Sequence, residues 1–374
     1  MSVRILHLAD AHLAAPLGNF GSYAARRRDE VDQAFRRAVL AALAERVHAV
    51  LIAGDLFDTH RPDARAVELV RRELARLREA GIRILAVPGT HDSLLQPDCV
   101  YRQESLPFDR LFDEPSFAGP ERVEADEGVL WVYGIACDPR REAAGWDTLE
   151  RVPEAGIHVA LAHAACRDRP DWTISPEDLP FDEEDLPGLG MDYLALGHYH
   201  NHRAFKDEGG RILGAYPGSV EGRDWTEPGP RHALLVQWDA GSPEPSLRPI
   251  PVHSRVLSTC ELDVSGSATE EEVRELVRER CAPETLWRIV LVGEPEIPLR
   301  PDSIAADLEA VYGHIQVADL TTLVTSRKVA QLCEEQTVRG EFFRRLVEER
   351  ERAQDVRQRR VADRAVKLGV RVFG

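Results

Sequence analysis

Residues 86–92 read AVPGTHD: an apolar pair, a Pro88-Gly89 turn, then three polar side chains in a row, Thr90, His91 and Asp92. A strand that breaks at Pro-Gly and then presents polar groups delivers them to the edge of a sheet, where open α/β sheets bind ligands. Four other stretches share this design. HLADAH (7–12) brings Asp10 and His12, and AGDLFD (53–58) brings Asp55 and Asp58. LAHAA (161–165) brings His163, and LGHYHNH (196–202) brings His198, His200 and His202. A lone strand-end His is ordinary. Five clusters aimed at one sheet edge supply the carboxylate and imidazole donors of a dinuclear site for Mn, Fe or Zn.

Working outward, the apolar runs RILHLA, AVLIAGD and IRILAVPG are strands separated by amphipathic helices near 26–45 and 63–80. On the first helix Val31, Phe35, Ala38, Val39 and Ala42 share a face. This order implies α/β layering. The later strands VLWVYGIA, IHVALAHA, MDYLALGH, RILGAYPGS and HALLVQWD lack helices between them, so a two-sheet sandwich flanked by helices fits better than a doubly wound sheet. DAGSPEPSLRPIPVHS (239–254) reads as a boundary. The resulting division is a first domain over 1–245, a small α+β unit over 255–326, and a polar helical tail over 327–374 with Val338, Phe342, Phe343, Leu346 and Val347 on one stripe.

With 374 residues, 43% hydrophobic and 30% charged, the composition is that of an ordinary globular chain. Six scattered cysteines (99, 137, 166, 260, 281, 333) form no C-x-x-C pair, which argues for reduced thiols in the cytoplasm. The opening stretch has no signal pattern and no apolar run suits a membrane span. The net charge of −17 is uneven: residues 327–374 carry 13 Lys+Arg against 8 Asp+Glu, a net of +5, leaving −22 on the rest. An acidic body speaks against autonomous binding of nucleic acid, although two cations in a carboxylate-lined cleft would reverse the sign locally.

The order D-x-H, G-D-x-x-D, G-x-H-D, H, G-H-x-H resembles the calcineurin-like metallophosphoesterase superfamily. HLADAH, GDLFD, AYPGS and the small α+β unit are similar to SbcD/Mre-eleven-type DNA repair exonucleases, in particular a YhaO-like branch. The resemblance covers most of the chain, and it implies a phosphoesterase domain, a capping domain and a basic tail that docks on an SbcC/Rad-fifty-like ATPase. It implies two divalent cations, most commonly Mn²⁺. Asp10, His12 and His200 would hold one, His163 and His198 the other, with Asp55 bridging. His91 would meet the scissile phosphate, oriented by Asp92. The implied activity is a DNA nuclease, exonuclease on double-stranded ends and endonuclease on single strands. A homodimer through phosphoesterase helices is a family habit that Val31–Ala44 would suit.

His60, His202 and Arg223 are candidate substrate contacts. Asp58 reads as a brace for the loop after Asp55, and Tyr216 and Ser219 lie in a turn at the cleft. His7, His48, His158, His232, His253 and His314 read as structural.

Thr90 departs from the pattern. The family places Asn there, whose amide oxygen ligates the second metal, and a Thr hydroxyl is shorter and a weaker donor. Three readings follow: coordination through the hydroxyl or a water, a single-metal site, or a scaffold without catalysis. A small-substrate phosphodiesterase or nucleotidase is the other enzymatic alternative. The tail stripe likewise reads either as an arm for a partner or as a helix folded back onto the chain.

Overall fold

The computed structural model describes residues 3–126, 128–136, 145–168, 174–175, 178–240, 242, 244–322 and 326–373. Cys137 of the cysteine inventory lies outside them. The chain divides into two compact units, Met1–Val256 and Leu257–Gly374.

The first unit begins with β1 (Val3–Leu8), α1 (Ala24–Glu45), β2 (Ala49–Ala53), α2 (Ala64–Glu79) and β3 (Arg83–Val87). A short α3 (Val100–Gln103), β4 (Arg110–Leu111), β5 (Glu121–Ala125) and β6 (Gly128–Ile135) follow. Then come β7 (Ile157–His163), β8 (Tyr193–Gly197), β9 (Arg203–Lys206), β10 (Ile212–Tyr216), β11 (His232–Trp238) and β12 (Pro245–Pro251). One six-stranded sheet runs β12-β11-β1-β2-β3-β4 and the other β5-β6-β7-β8-β10-β9. β1, β2 and β3 are parallel, as are β6, β7 and β8, so their C-terminal ends share one edge in each sheet.

Alternation along the strands explains the layering. Val3 and Ile5 of β1 and Ala49, Leu51 and Ala53 of β2 face Leu130, Val132, Val159, Leu161 and Tyr193 of the second sheet, and together they form the inter-sheet core. A second core on the other side of that sheet gathers Tyr133, Leu194, Phe205 and Tyr216. The sandwich expected from the sequence is present, with β4, β5, β9 and β12 added. The proline-rich stretch read as a boundary forms β12 instead. It pairs only with β11, and an edge strand tolerates prolines because half its N–H groups have no ladder partner.

The second unit holds a sheet of β13 (Val256–Asp263), β14 (Thr285–Val292) and β15 (Ile315–Asp319), with α4 (Glu270–Arg280) and α5 (Pro301–Tyr312) packed through Val273, Val277, Ile304 and Leu308. Thr269 caps α4 by accepting from Glu272 N. The tail forms α6 (Ser326–Glu334), α7 (Val338–Arg352) and α8 (Val356–Phe373), which close around Phe343 with Val329, Leu332, Val366 and Val370. Of the expected stripe, Phe343, Leu346 and Val347 are used internally, while Val338 is 90% exposed and Phe342 39%.

Candidate metal centre

The strand ends converge as the motifs implied, and the backbone is bent to make them do so. Asp10, His12, Asp55 and His198 all adopt positive φ (51°, 45°, 48° and 105°), a region that costs a non-glycine residue roughly 1–2 kcal/mol. Strain of this kind persists where the surroundings over-determine it, and it clusters at functional sites. The loops after β1 and β2 continue to pair beyond the strands, His12 N donating to Asp55 O at 3.0 Å and Leu13 N to Leu56 O at 3.0 Å. Close approach demands glycine at two places. A Cβ on Gly54 would strike the His163 ring, and one on Gly89 would strike the Asp55 carboxylate.

Two pairs of imidazole nitrogens face each other: His12 Nε2 and His200 Nε2 at 3.1 Å, His163 Nε2 and His198 Nδ1 at 3.1 Å. Asp55 Oδ2 stands between the pairs, 3.6 Å from His12 Nε2 and 3.5 Å from His163 Nε2. Its Oδ1 accepts from His91 N at 2.9 Å. Asp10 accepts from His198 N through both oxygens, at 3.1 and 3.2 Å. Donor atoms of Asp10, His12 and His200 lie within 4.8 Å of one another, as do those of Asp10, Asp55 and His163.

The partners of the far ring nitrogens fix the tautomers. His12 Nδ1 donates to Asp58 Oδ1 at 3.0 Å, His200 Nδ1 to Glu227 Oε1 at 2.9 Å, and His163 Nδ1 to the Ala53 carbonyl at 3.0 Å. His12 and His163 are therefore left with a bare Nε2 lone pair pointing into the cluster, while on His200 burial is outweighed by the Glu227 and Asp10 carboxylates, which raise the ring's pKa. Ring nitrogens 3.1 Å apart need a proton or a cation between them. This donor set suits two divalent ions bridged by Asp55.

Electrostatics agree. Burial, reinforced by neighbouring cationic groups, pushes His12 well below the ordinary histidine range, and burial holds His163 and His198 down at about 4. Neutral imidazoles are metal ligands at neutral pH. Burial raises the Asp55 carboxyl and lifts Asp10 to about 7, with the neighbouring Asp55 adding to that rise and His200 opposing it. Two buried carboxylates that resist ionising are in want of a cation.

Thr90 is half-buried between Gly89 and His91, both of which touch Asp55, so its backbone stands beside the Asp55 carboxylate. His91 is 43% exposed, with Nδ1 donating to the Asp58 carbonyl at 3.0 Å and its ring edge-on to His12 at 4.8 Å. Asp92 does not orient His91. Its carboxylate accepts from Gly89 N (2.7 Å), Phe57 N (3.1 Å) and Tyr101 Oη (2.6 Å), tying the β2 and β3 loops together. Asp58 takes over the orienting role and is the brace the sequence suggested.

The residues expected to contact substrate have partners within the chain. His60 is 3.9 Å from Asp98. His202 donates to the Tyr216 carbonyl at 2.8 Å and packs on His232. Arg223 is committed to Asp58 at 2.7 Å. His7 is buried between Tyr193 Oη and the Leu196 carbonyl, the structural role read for it.

Sequence reasoning missed Glu227. It is 3% exposed and receives His200 Nδ1 and Ser219 Oγ (2.6 Å). Burial opposes its ionisation, but those hydrogen bonds and the His200 and Arg223 charges hold it at about 2. Nothing local distinguishes it among 64 acidic residues.

A family model described as calcineurin-like phosphoesterase matches residues 3–202, the stretch that carries every one of these strand ends. The chain belongs to that family. This metallophosphoesterase is 31% identical to the DNA double-strand break repair protein Mre11 of Sulfurisphaera tokodaii over 56% of its own length and 52% of the relative's. It is 28% identical to the uncharacterized metallophosphoesterase YhaO of Bacillus subtilis, over 62% and 56% of the two chains. A match to Mre11 of Sulfolobus acidocaldarius is longer, 25% identical over 84% and 81%. The metallophosphoesterase thus spans about half the length of the first two relatives. A solved dimetal phosphatase from Danio rerio aligns at a TM-score of 0.34 and 14% identity, too distant to add to the assignment. The relatives agree with the resemblance carried by the motifs, and phosphoester hydrolysis at a dinuclear divalent site is the chemistry the family brings to these residues.

Proposed function

We propose that this metallophosphoesterase is a metal-dependent DNA nuclease that hydrolyses phosphodiester bonds, exonucleolytically at double-stranded ends and endonucleolytically on single strands, in DNA repair or processing. The observation that carries the site is the pair of facing imidazoles on either side of Asp55 Oδ2. The relatives named Mre11 support the choice of DNA. Asp10, His12 and His200 would hold one cation and Thr90, His163 and His198 the other, with Asp55 shared and Mn²⁺ the expected metal. Bound there, two divalent cations supply charge neutralisation and Lewis acidity to a phosphodiester.

The chain's own part is positioning and proton transfer. His91 keeps Nδ1 on the Asp58 carbonyl, so Nε2 is the nitrogen available to a phosphate or leaving oxygen, and its exposure lets substrate reach it. Asp92, through Gly89 N and Phe57 N, holds the two loops whose tips carry His91 and Asp55.

In this reading residues 1–245 are the nuclease domain and 255–326 a capping domain. The tail from 327, with Val338 and Phe342 exposed, is the segment that meets an SbcC/Rad-fifty-like ATPase. No described helix is long and apolar enough to cross a membrane, and a cytoplasmic protein working on DNA, as a homodimer, fits the scattered thiols. Thr90 favours one competing reading, a scaffold subunit with a degraded second metal site.

Cleavage of end-labelled double- and single-stranded DNA in Mn²⁺ separates them. Activity in wild type that disappears in Asp55→Ala supports the nuclease and shows that Thr90 is tolerated. Silence in wild type with activity in Thr90→Asn supports the scaffold.

A further inference from the structure

The loop from Ser219 to Arg231 does more than close the sandwich. Arg223 donates through Nη1 to Asp58 Oδ1 at 2.7 Å, and its Nε lies 3.5 Å from Glu227 Oε1. Its backbone N donates to Glu227 Oε2 at 3.2 Å. The side chain is only 18% exposed. The two carboxylates it joins are those that receive Nδ1 of His12 and Nδ1 of His200. Nη2 also approaches His200 Nδ1 to 3.2 Å. With the Glu227 carboxylate nearer, at 2.9 Å, that nitrogen carries its proton toward Glu227, and the Arg223 approach is one of charge and packing.

We infer that Arg223 is a positioning residue: its guanidinium links Asp58 and Glu227 into one ion chain that turns His12 and His200 to face a single cation with bare Nε2 lone pairs. This rests on the metallophosphoesterase reading of the site and deepens it, because it assigns the affinity of the first cation to groups that never touch the metal. The chain also reaches the phosphate side of the site, since the Asp58 carbonyl receives His91 Nδ1. One guanidinium thus steadies two of the five cleft histidines, and the Asp58 backbone anchors a third.

The backbone around Arg223 is held accordingly. Arg27, fully buried, donates to the Gly222 carbonyl at 2.5 Å and pairs with Glu221 at 2.6 Å. Asn19 donates to the Arg223 carbonyl at 3.0 Å. A substrate-contacting arginine keeps its donors turned to solvent, whereas here Nη1 donates to Asp58 and Nε lies against Glu227. Without it, Asp58 and Glu227 lose the cation between them, Glu227 is left to Ser219 Oγ and the backbone N of residue 223, and Asp58 is left to the imidazoles beside it.

The test is calorimetric titration of Mn²⁺ into the full chain, as wild type, Arg223→Met, Arg223→Lys and Glu227→Gln, with unfolding midpoints in EDTA and ¹⁵N spectra of the histidine rings. Loss of an outer hydrogen-bond partner of a ligating His typically weakens metal binding about 10- to 100-fold, and that loss is expected at one of two sites in Arg223→Met and Glu227→Gln. Arg223→Lys recovers part of the affinity, because an ammonium reaches one carboxylate where the guanidinium reaches two. The His12 and His200 ring signals shift in the metal-free variants. Should Arg223→Met unfold early in EDTA, the Lys and Gln variants decide by the same readout. Wild-type Mn²⁺ affinity in folded Arg223→Met and Glu227→Gln, with only the KM for DNA raised in the former, overturns the inference and makes Arg223 a substrate contact. A wild type that binds no Mn²⁺ overturns the metallophosphoesterase reading of the site itself, and the two failures are distinguishable.

Discussion

Asp10→Asn should make the metal-free protein more stable while weakening its response to metal. Asp10 is 1% exposed, and burial lifts its carboxyl from 3.8 to about 7, with Asp55 adding to the rise and His200, the His198 amide and Arg223 pulling the other way. A carboxyl whose folded value lies above its unfolded value binds more protons in the folded state between the two. Stability is therefore lost as pH rises from about 4 to about 7, and the whole cost is present above that. At 1.36 kcal/mol per pH unit the ceiling is about 4 kcal/mol at pH 8. Asn keeps one acceptor for the His198 amide but loses the charge-assisted bond, so a gain of about 2 kcal/mol is expected. For a unit of this size that is about 4–8 °C in melting temperature. The assay is thermal unfolding in EDTA and in Mn²⁺ at pH 8 and pH 5.5. Asn should melt higher in EDTA at pH 8, the gap should shrink at pH 5.5, and Mn²⁺ should raise wild type more than the variant. If Asp10→Asn melts below wild type in EDTA at pH 8, the chain itself satisfies that carboxylate and the argument from an uncompensated charge fails.

Other outcomes follow from the same geometry. Gly54→Ala would thrust a Cβ into the His163 ring from a backbone at φ +82°, so calorimetry should find the cation at His163 and His198 lost. His7, driven by burial to about 3, lies below its unfolded value. It therefore costs stability as pH falls through 6.5, at about 1.4 kcal/mol per unit, and His7→Gln should flatten the decline between pH 6 and 5 measured by urea unfolding in EDTA. In the tail, Phe343→Ala should cost about 3–5 kcal/mol and melt the three-helix core by circular dichroism, whereas Val338→Ser, 90% exposed, should stay within about 0.5 kcal/mol. His91→Asn should leave Mn²⁺ binding unchanged and lower kcat, because its imidazole reaches the cleft through Nε2 and its anchor is a backbone carbonyl.

Asp10, His12, Asp55, His163, His198 and His200 were legible because each follows an apolar run that could only be a strand, and parallel strands deliver their ends to one edge. The inter-sheet core was legible for the same period-two reason. What escaped was set by pairs distant in sequence. Glu227 is 27 residues from His200, and Asp58 is 33 from the His91 ring it anchors, so no spacing rule connects them. Asp92 follows His91 directly, yet its carboxylate turns back to Gly89 and Phe57. β12 was hidden because three of its seven residues are proline, and only its edge position makes that composition acceptable.

The charge distribution gives these pieces a common sense. The body outside the tail carries −22, and that count includes the buried carboxylates Asp10 and Asp55, which stand beside the His163 and His198 imidazoles that burial holds neutral. Such a cleft repels a phosphodiester until it is filled. Two divalent cations bring four positive charges against Asp10 and Asp55, which reverses the local sign in a place where desolvation amplifies it. The same burial that makes metal-free Asp10 costly therefore makes the filled site attractive to a phosphate. Strained strand ends, glycines without room for a Cβ, and the Asp58–Arg223–Glu227 chain all hold the donors where a cation would need them. In a chain this acidic, affinity for nucleic acid should then scale with occupancy of the metal site rather than with surface basic residues.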